Sequence, residues 1–153
     1  PAAFRRLAET KARFVSRGDN SGTHQKELAL WAAAGVAPDP AQLIVTKDFM
    51  TASLKRAEAE GAYFLTDSST FIAERANTPG LVALVAGGAA LFNPYHTLLL
   101  SEPTPGAPTA QRFAAYLLGP AAQATLHRYG AARFGAPMYV DAQAARARWP
   151  ADQ

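Results

Sequence analysis

The chain is 153 residues long, with 49% hydrophobic and 18% charged residues, a composition typical of a globular protein with a sizeable core. Its net charge is only +3, and no dense cluster of Lys and Arg with interleaved aromatic residues occurs, so we expect no nucleic-acid partner. The absence of cysteine excludes disulfide bonds, cysteine nucleophiles and cysteine-bound zinc, and no apolar run approaches the ~20 residues that span a bilayer.

The first half of the chain alternates apolar runs with helical patterns. It opens with "PAAFRRLAETKAR", which lacks an initiating Met and a visible signal peptide, so we expect a processed or truncated piece whose first residues form a short helix. The apolar runs "RFVS", "QLIVT" and "AYFL" each lead through a polar turn into a helix of about three turns. Further strands are expected at "LVALVA" and "TLLL". This alternation predicts an α/β fold with a mostly parallel sheet flanked by helices.

The second half of the chain has a different texture. A Pro-rich connection, "SEPTPGAPT", precedes two predicted helices, one through Phe113 and Leu117 and the next from Pro120 to Tyr129. Gly119 and Gly130 lie where these helices should end. A short "APMYV" segment and an Ala/Arg-rich tail complete the chain.

The first polar turn, "SRGDNSGTH", concentrates donors for an anion. A helix start presents unpaired backbone N–H groups and the positive end of a dipole, and Gly22 lets an anion approach that backbone. Ser21 and Thr23 add hydroxyl groups, Arg17 adds a fork of N–H donors, and Asp19 is placed to orient that fork. From these residues alone, an anion site and simple capping of the helix by Asp19, Asn20 or Ser21 both stay open.

The other two polar turns carry hydroxyl groups as well. In the third turn, "TDSST", Ser68 and Thr70 are candidate anion contacts, although capping by Asp67 or Ser68 is the preferred interpretation. Capping is also the preferred interpretation of the second turn, "TKDFMT". Because parallel strands end at one edge of a sheet, all three turns are expected at the same edge.

Catalytic and metal sites are not indicated. Ser21, His24 and Asp19 are too close along the chain to form a hydrolase triad around a helix start, and the GxSxG and P-loop patterns are missing. The three histidines show no metal-ligand spacing. The "RGD" tripeptide leads straight into a helix and is interpreted as coincidental. We therefore expect neither catalysis nor a cofactor.

Three stretches carry a resemblance to a known family. "FVSRGDNSGTHQKELALW", "EGAYFLTDSSTFIAE" and "LFNPY" resemble the tungstate-binding proteins of bacterial ABC importers, a branch of the type II periplasmic binding proteins. This resemblance implies that Arg17, Ser21, Gly22 and Thr23 contact a small oxyanion such as tungstate or molybdate, with Asp19 supporting Arg17. The expected ligand-binding set is completed by Ser16, Ser68 and Thr70.

The resemblance also implies a domain arrangement. Such proteins close two lobes around the ligand; residues 1–92 correspond to the second lobe, and 93–153 to a hinge strand and C-terminal helices that return to the first lobe. The N-terminal half of that first lobe is absent from the chain, and upstream sequence or another chain would supply it. The expected partner is the importer permease, and the expected location is periplasmic or at the cell surface.

Several points differ from the family pattern or stay open. "TKDFMTA" stands where a glycine-rich turn resembling G-Q-G-M-G is expected, and "TDSST" stands in place of T-D-R-G-T. Molybdate, sulfate-like anions and small organic anions therefore remain alternatives to tungstate. A ligand-sensing domain of a transcription regulator, which uses the same fold, is the alternative function, and an enzyme of this fold acting on an anionic substrate is a further one.

Overall fold

The computed structural model describes residues 1–102 and 104–148, so Pro103, within the Pro-rich connection, and the end of the Ala/Arg-rich tail, 149–153, lie outside the described residues. The chain forms two compact units, Pro1–Val85 and Ala86–Gln153. Within 1–102 and 104–148, no helix combines the length and the apolar character needed to cross a membrane.

The first unit contains the predicted short helix followed by three strand–turn–helix repeats. In chain order its elements are α1 (Ala2–Glu9), β1 (Phe14–Ser16), α2 (Gly22–Ala34), β2 (Leu43–Val45), α3 (Met50–Glu60), β3 (Tyr63–Phe64) and α4 (Ser68–Glu74). Helices α2 and α3 end at Gly35 and Gly61, both in the left-handed conformation, as the positions of these glycines predict. The α/β fold is confirmed.

The sheet is parallel and has the order β2-β1-β3. Phe14 pairs with Leu43 on one side and with Tyr63 on the other, so β1 is the central strand. All three strands therefore end at the same edge, which brings together the polar turns that follow them. The expected placement of the three turns is confirmed.

The core of this unit packs on both faces of the central strand. On one side Phe4, Phe14 and Trp31 form an aromatic cluster, with ring centroids 4.6 Å apart for Phe4–Trp31 and 5.3 Å apart for Phe14–Trp31. On the other side Val15 packs with Ala57 of α3 and with neighbouring apolar residues. The end of β1, and the turn after it, are thereby fixed by buried neighbours on both faces.

Two predicted strands are wrong. Neither "LVALVA" (81–86) nor "TLLL" (97–100), the expected hinge strand, forms a strand in the structure. A strand requires a neighbouring strand that completes its hydrogen bonds, and the described sheet offers none to these segments. Their side chains are exposed instead, Leu84 by 66% and Leu98 by 90%.

The second unit is helical. Its elements are a 3-10 helix (Ala89–Leu91), α5 (Ala107–Leu118), α6 (Pro120–Arg128), α7 (Ala131–Phe134) and α8 (Ala142–Arg148). Both predicted helices, α5 and α6, are confirmed. His127 at the end of α6 bonds Asp141, which caps α8, with 2.9 Å between Nδ1 and Oδ2. Ala122 is the one buried hydrophobic residue among the described residues of this unit.

Candidate functional site

The turn between β1 and α2 is a tight reversal built on two residues with positive φ. Gly18 has φ of 60° and Asn20 has φ of 62°. A Cβ at position 18 would collide with the side chain of Val45, at the end of β2. Glycine therefore lets this turn lie directly against the neighbouring strand.

Arg17 is held in place by acceptors from two turns. Its Nη2 donates to Oδ2 of Asp19 over 2.5 Å, and its Nε donates to the backbone carbonyl of Asp48 over 3.1 Å. The side chain is only 12% exposed. The predicted ion pair with Asp19 is present. A guanidinium has five N–H groups, and three of those of Arg17 have no acceptor among the described residues.

The start of α2 also offers unused donors. Ser21 is the N-cap residue, and its hydroxyl oxygen accepts the His24 amide over 3.4 Å, so the predicted capping occurs. The amides of Gly22 and Thr23 precede the first intrahelical hydrogen bond and find no acceptor within the described parts of the chain. Apart from the chain neighbours of Gly22 and the backbone of its own helix, no atom lies within 4 Å of the place that a Cβ of Gly22 would occupy. Two backbone donors thus stand beside open space.

Asp19 links Arg17 to this helix start. While Oδ2 accepts from Arg17, Oδ1 accepts the Ser21 amide over 3.1 Å. Hydrogen bonding by Ser21 lowers the pKa of Asp19 most, burial opposes it, and the charge of Arg17 lowers the pKa further. Asp19 is therefore ionised at neutral pH and keeps accepting hydrogen bonds. The Ser21 hydroxyl oxygen accepts the His24 amide, so that hydroxyl is partly committed within the protein.

The second turn differs from its prediction. α3 starts after Phe49, which provides no side-chain cap, so the capping interpretation of this turn is wrong. The Thr46 hydroxyl bonds Ser53 over 2.7 Å and also donates to the Ser16 carbonyl, which fastens this turn to the end of β1. The turn contributes the Asp48 carbonyl that holds Arg17. Every residue has a backbone carbonyl, so the type of residue at position 48 does not indicate this role.

The third turn is a capped helix start, as preferred from the sequence. Asp67 accepts the Thr70 amide over 2.7 Å and the Thr70 hydroxyl over 2.9 Å. The Ser68 side chain makes no hydrogen bond within the described residues. Nor does any hydrogen bond there join this turn to Arg17. The structure thus brings together Arg17, Asp19 and the start of α2, but it does not tie Ser68 and Thr70 to them.

A buried carboxyl group lies behind the first turn. Glu27 is 3% exposed, as is Ser16 at the end of β1. Burial raises the pKa of Glu27, and the neighbouring polar groups of Ser16 and His24 partly offset that rise. The indole N–H of Trp31 is buried and finds no hydrogen-bond partner among the described residues. The sequence analysis missed Glu27. Its spacing of three and four residues from Leu30 and Trp31 does place it on the buried face of α2.

Comparison with known proteins identifies the family. The profile of the PBP superfamily domain matches residues 2–121. The tungstate-binding protein TupA of Peptoclostridium acidaminophilum is 34% identical over 141 residues, which cover 90% of this chain and 49% of that protein.

Two solved structures agree with this match. TupA from Desulfovibrio alaskensis G20 is 30% identical with a TM-score of 0.70, and the match covers 92% of this chain and 58% of that one. The tungstate ABC transporter from Geobacter sulfurreducens is 33% identical with a TM-score of 0.68, and the match covers 83% of this chain and 55% of that one. The chain thus spans about half the length of the first curated relative that it matches. It belongs to the PBP superfamily, and the predicted resemblance to the tungstate-binding proteins of that superfamily is confirmed.

Proposed function

We propose that this chain is the oxyanion-holding part of a solute-binding protein that captures tungstate or a similar anion for an ABC importer. The observation that carries the proposal is the state of Arg17, which is almost buried, fixed by Asp19 and Asp48, and still has three unused N–H groups. The relatives named for tungstate binding support the choice of ligand.

The chemistry of the turn favours a fully ionised tetrahedral anion. Arg17 supplies charge-assisted donors, and the amides of Gly22 and Thr23 add donors at the positive end of α2. We expect the Thr23 hydroxyl to contribute as well. These groups recognise charge and oxygen geometry rather than the central atom, so tungstate and molybdate are both expected ligands. The site binds its anion without transforming it.

The second part of the proposal concerns the rest of the binding protein. We assign residues 1–92 to the second lobe and 93–153 to the segment that returns to the first lobe, with the hinge near 93–96. The exposed apolar side chains of Leu98 and Leu100 support this assignment, because a strand of the first lobe would pair with this segment and cover it. The complete protein would work outside the membrane, periplasmic or at the cell surface, and deliver its anion to the permease.

The test is Arg17→Ala in the full-length gene product, with tungstate binding followed by isothermal titration calorimetry. We expect affinity to fall about 100-fold, the cost of removing one or two hydrogen bonds from a charged donor. Arg13→Ala is the matched control, since it removes the same charge from the opposite end of β1, where Arg13 forms an exposed pair with Glu60. Equal affinity of the Arg17 variant and the unmodified protein would refute the site.

The isolated 153-residue chain should bind tungstate more weakly than the full-length gene product. One lobe leaves the anion in contact with water, where each hydrogen bond to it is worth less than in an enclosed site. We expect only weak binding, with a Kd of about 10 μM or higher, from the chain alone. Submicromolar binding in the same titration would contradict the two-lobe proposal.

A further inference from the structure

We propose that His24 is a positioning residue for the anion, because its uncharged imidazole orders the turn between β1 and α2 by accepting the amide of Asn20. This inference rests on the proposed function. It adds a residue that acts on the anion through the shape of the turn rather than by touching the anion.

The imidazole of His24 reaches back from the first turn of α2 to the residues that precede the helix. The backbone amide of Asn20 donates to its Nδ1 over 3.0 Å. Since a backbone N–H can only donate, Nδ1 must carry a lone pair, and the proton of the neutral ring lies on Nε2. An imidazolium has donors at both nitrogens and could not make this contact. The contact therefore belongs to the uncharged side chain.

Asn20 is the residue of this turn that most needs support. Its φ of 62° is left-handed, which is unfavourable for a residue other than glycine, although asparagine tolerates it better than most. Its side-chain carbonyl accepts from the amide group of Gln25. Two neighbouring side chains of α2, one bound to the backbone of Asn20 and one to its side chain, thus hold it in this conformation.

The backbone amides around the start of α2 divide into bonded and unbonded ones. The bonded amides donate to side chains of the same turn, and they belong to Asn20, Ser21 and His24. The amides of Gly22 and Thr23 have no acceptor within the described parts of the chain. The contact with His24 therefore completes a set of bonds that leaves the two amides expected to face the anion as the unbonded ones.

The position of Asn20 in the chain connects this contact to the proposed ligands. Asp19, directly before it, orients the guanidinium of Arg17, and Ser21, directly after it, is the N-cap of α2. A change of backbone conformation at Asn20 would move both neighbours. Without the contact, fewer molecules would have the binding conformation before the anion arrives, and affinity falls in proportion to that fraction.

An acceptor without charge suits this position. The residue three places after an N-cap serine is commonly Glu or Gln, whose side chain accepts an amide at the helix start. His24 stands in that place relative to Ser21. A glutamate there would bring a negative charge close to the expected anion and repel it, whereas a neutral imidazole accepts the amide without that repulsion.

The first experiment compares His24→Asn with His24→Leu in the full-length gene product, by calorimetric titration with tungstate. Asparagine can place an oxygen close to the position of Nδ1, and leucine has the same branching without an acceptor, so each variant is the control for the other. The titrations are made at about pH 8, above the range in which histidine usually titrates.

We expect His24→Asn to bind within about twofold of the unmodified protein and His24→Leu to bind about fivefold more weakly, the value of one neutral hydrogen bond. Urea unfolding of both variants verifies that they are folded. Equal affinities of the two variants, or tighter binding by His24→Leu, would overturn the positioning role.

The second experiment tests the contact without any anion, by amide proton exchange in the 153-residue chain, followed by NMR. The Asn20 amide should exchange about fivefold more slowly in the unmodified chain and in His24→Asn than in His24→Leu, because a bonded amide exchanges only while its bond is open. The amide of Thr23, which has no acceptor among the described residues, is the internal control and should exchange equally in all three. Equal exchange of the Asn20 amide in all three proteins would overturn the proposal.

The third experiment uses His24→Glu, which keeps an acceptor but adds a charge. Its unfolding free energy should equal or exceed that of the unmodified protein, because a carboxylate is favourable at a helix start. Tungstate affinity of the full-length gene product should nevertheless fall about tenfold at low salt, and less at high salt, where charges are screened. A merely structural role predicts that affinity follows stability. Unchanged affinity of this variant would overturn the need for an uncharged acceptor.

These outcomes separate the positioning role from the proposed function. If the unmodified full-length gene product binds no oxyanion, the proposed function fails, and the exchange rates of the Asn20 amide still test the contact with His24. If it binds tungstate while His24→Asn and His24→Leu bind alike, only the positioning role fails.

Discussion

Arg17, the proposed anion ligand, keeps little conformational freedom in the fold. One nitrogen is held by Asp19, two residues further along the chain, and another by the Asp48 carbonyl on the neighbouring turn. The side chain has therefore lost its rotamer freedom before any ligand arrives, so ordering it adds little to the cost of binding. Arg13, at the other end of the same strand, is 56% exposed at its side chain and has no comparable confinement.

Glu27 leads to a prediction about stability and pH. Its pKa is raised in the folded state, mainly by burial, so at a pH between its unfolded and folded pKa values the folded protein binds more protons than the unfolded protein. Stability contributed by this residue is therefore lost as pH rises through that window, from about pH 4.5 upward. Glu27→Gln should remove this loss and become more stable, relative to the unmodified chain, as pH rises.

Urea unfolding of the 153-residue chain at a series of pH values measures this effect. The pKa of Asp19 is lowered, so the stability that Asp19 contributes increases with pH, opposite to the effect of Glu27. The quantity to compare is therefore the difference in unfolding free energy between the Gln variant and the unmodified chain. That difference should grow with pH by no more than about 1.4 kcal/mol per unit. A constant difference across the whole series would contradict the prediction.

Contacts between residues of one short motif are predictable from the sequence, whereas contacts between separate turns are not. The ion pair between Arg17 and Asp19 is predictable because both partners belong to one short motif, and the structure contains it. The burial of Glu27 is predictable from its helical spacing to Trp31, although Glu27 lies outside the polar turn that indicated the anion site. The contact to Asp48 depends on how two turns pack together. Only the folded sheet determines that arrangement.

At the scale of single elements, the start of α2 makes a second prediction. Gly22→Ala should raise the stability of the chain by about 0.5 kcal/mol, because a helix position gains a better helix former and no atom opposes the new Cβ. The same Cβ would stand beside the unused amides. Tungstate affinity of the full-length gene product should therefore fall about tenfold, the value of about one hydrogen bond to a charged group.

Gly18→Ala provides the contrast. Its φ of 60° is unfavourable for alanine, and its Cβ would meet the side chain of Val45, so we expect a loss of about 2 kcal/mol or more in unfolding free energy. Thermal or urea unfolding of both variants checks this pair. A Gly22 variant that keeps full affinity would show that the open space beside this residue is not used by the anion.

The limits of a helix are predictable where residues at its ends determine them. Helices α2 and α4 start at capping residues, and α2 and α3 end at glycines, so their limits depend on local chemistry that the sequence displays. The segments 81–86 and 97–100 are apolar enough to be strands, yet they lie outside the sheet. A strand depends on a partner that is distant in sequence, and apolar composition alone does not supply one.

At the scale of the whole chain, the two units differ in how much they bury. The sheet, the aromatic cluster around Trp31 and the candidate anion site at the start of α2 all lie within residues 1–85. The second unit buries only Ala122 among its described hydrophobic residues, and it leaves side chains such as Phe113 and Leu118 more than half exposed. Hydrophobic burial is the main source of folding free energy. Most of the stability is therefore expected in the first unit.

This difference predicts how separate fragments behave. Residues 1–85 alone should keep their helical circular dichroism and unfold cooperatively in urea, because every element of the parallel sheet and its flanking helices is retained. Residues 86–153 alone should show helix without a cooperative transition, since α5 and α6 bury too little apolar surface to fix a single packing. A gradual, non-cooperative transition of the 1–85 fragment would mean that its core depends on the second unit. A sharp transition of the 86–153 fragment would show that its exposed apolar residues find a core of their own.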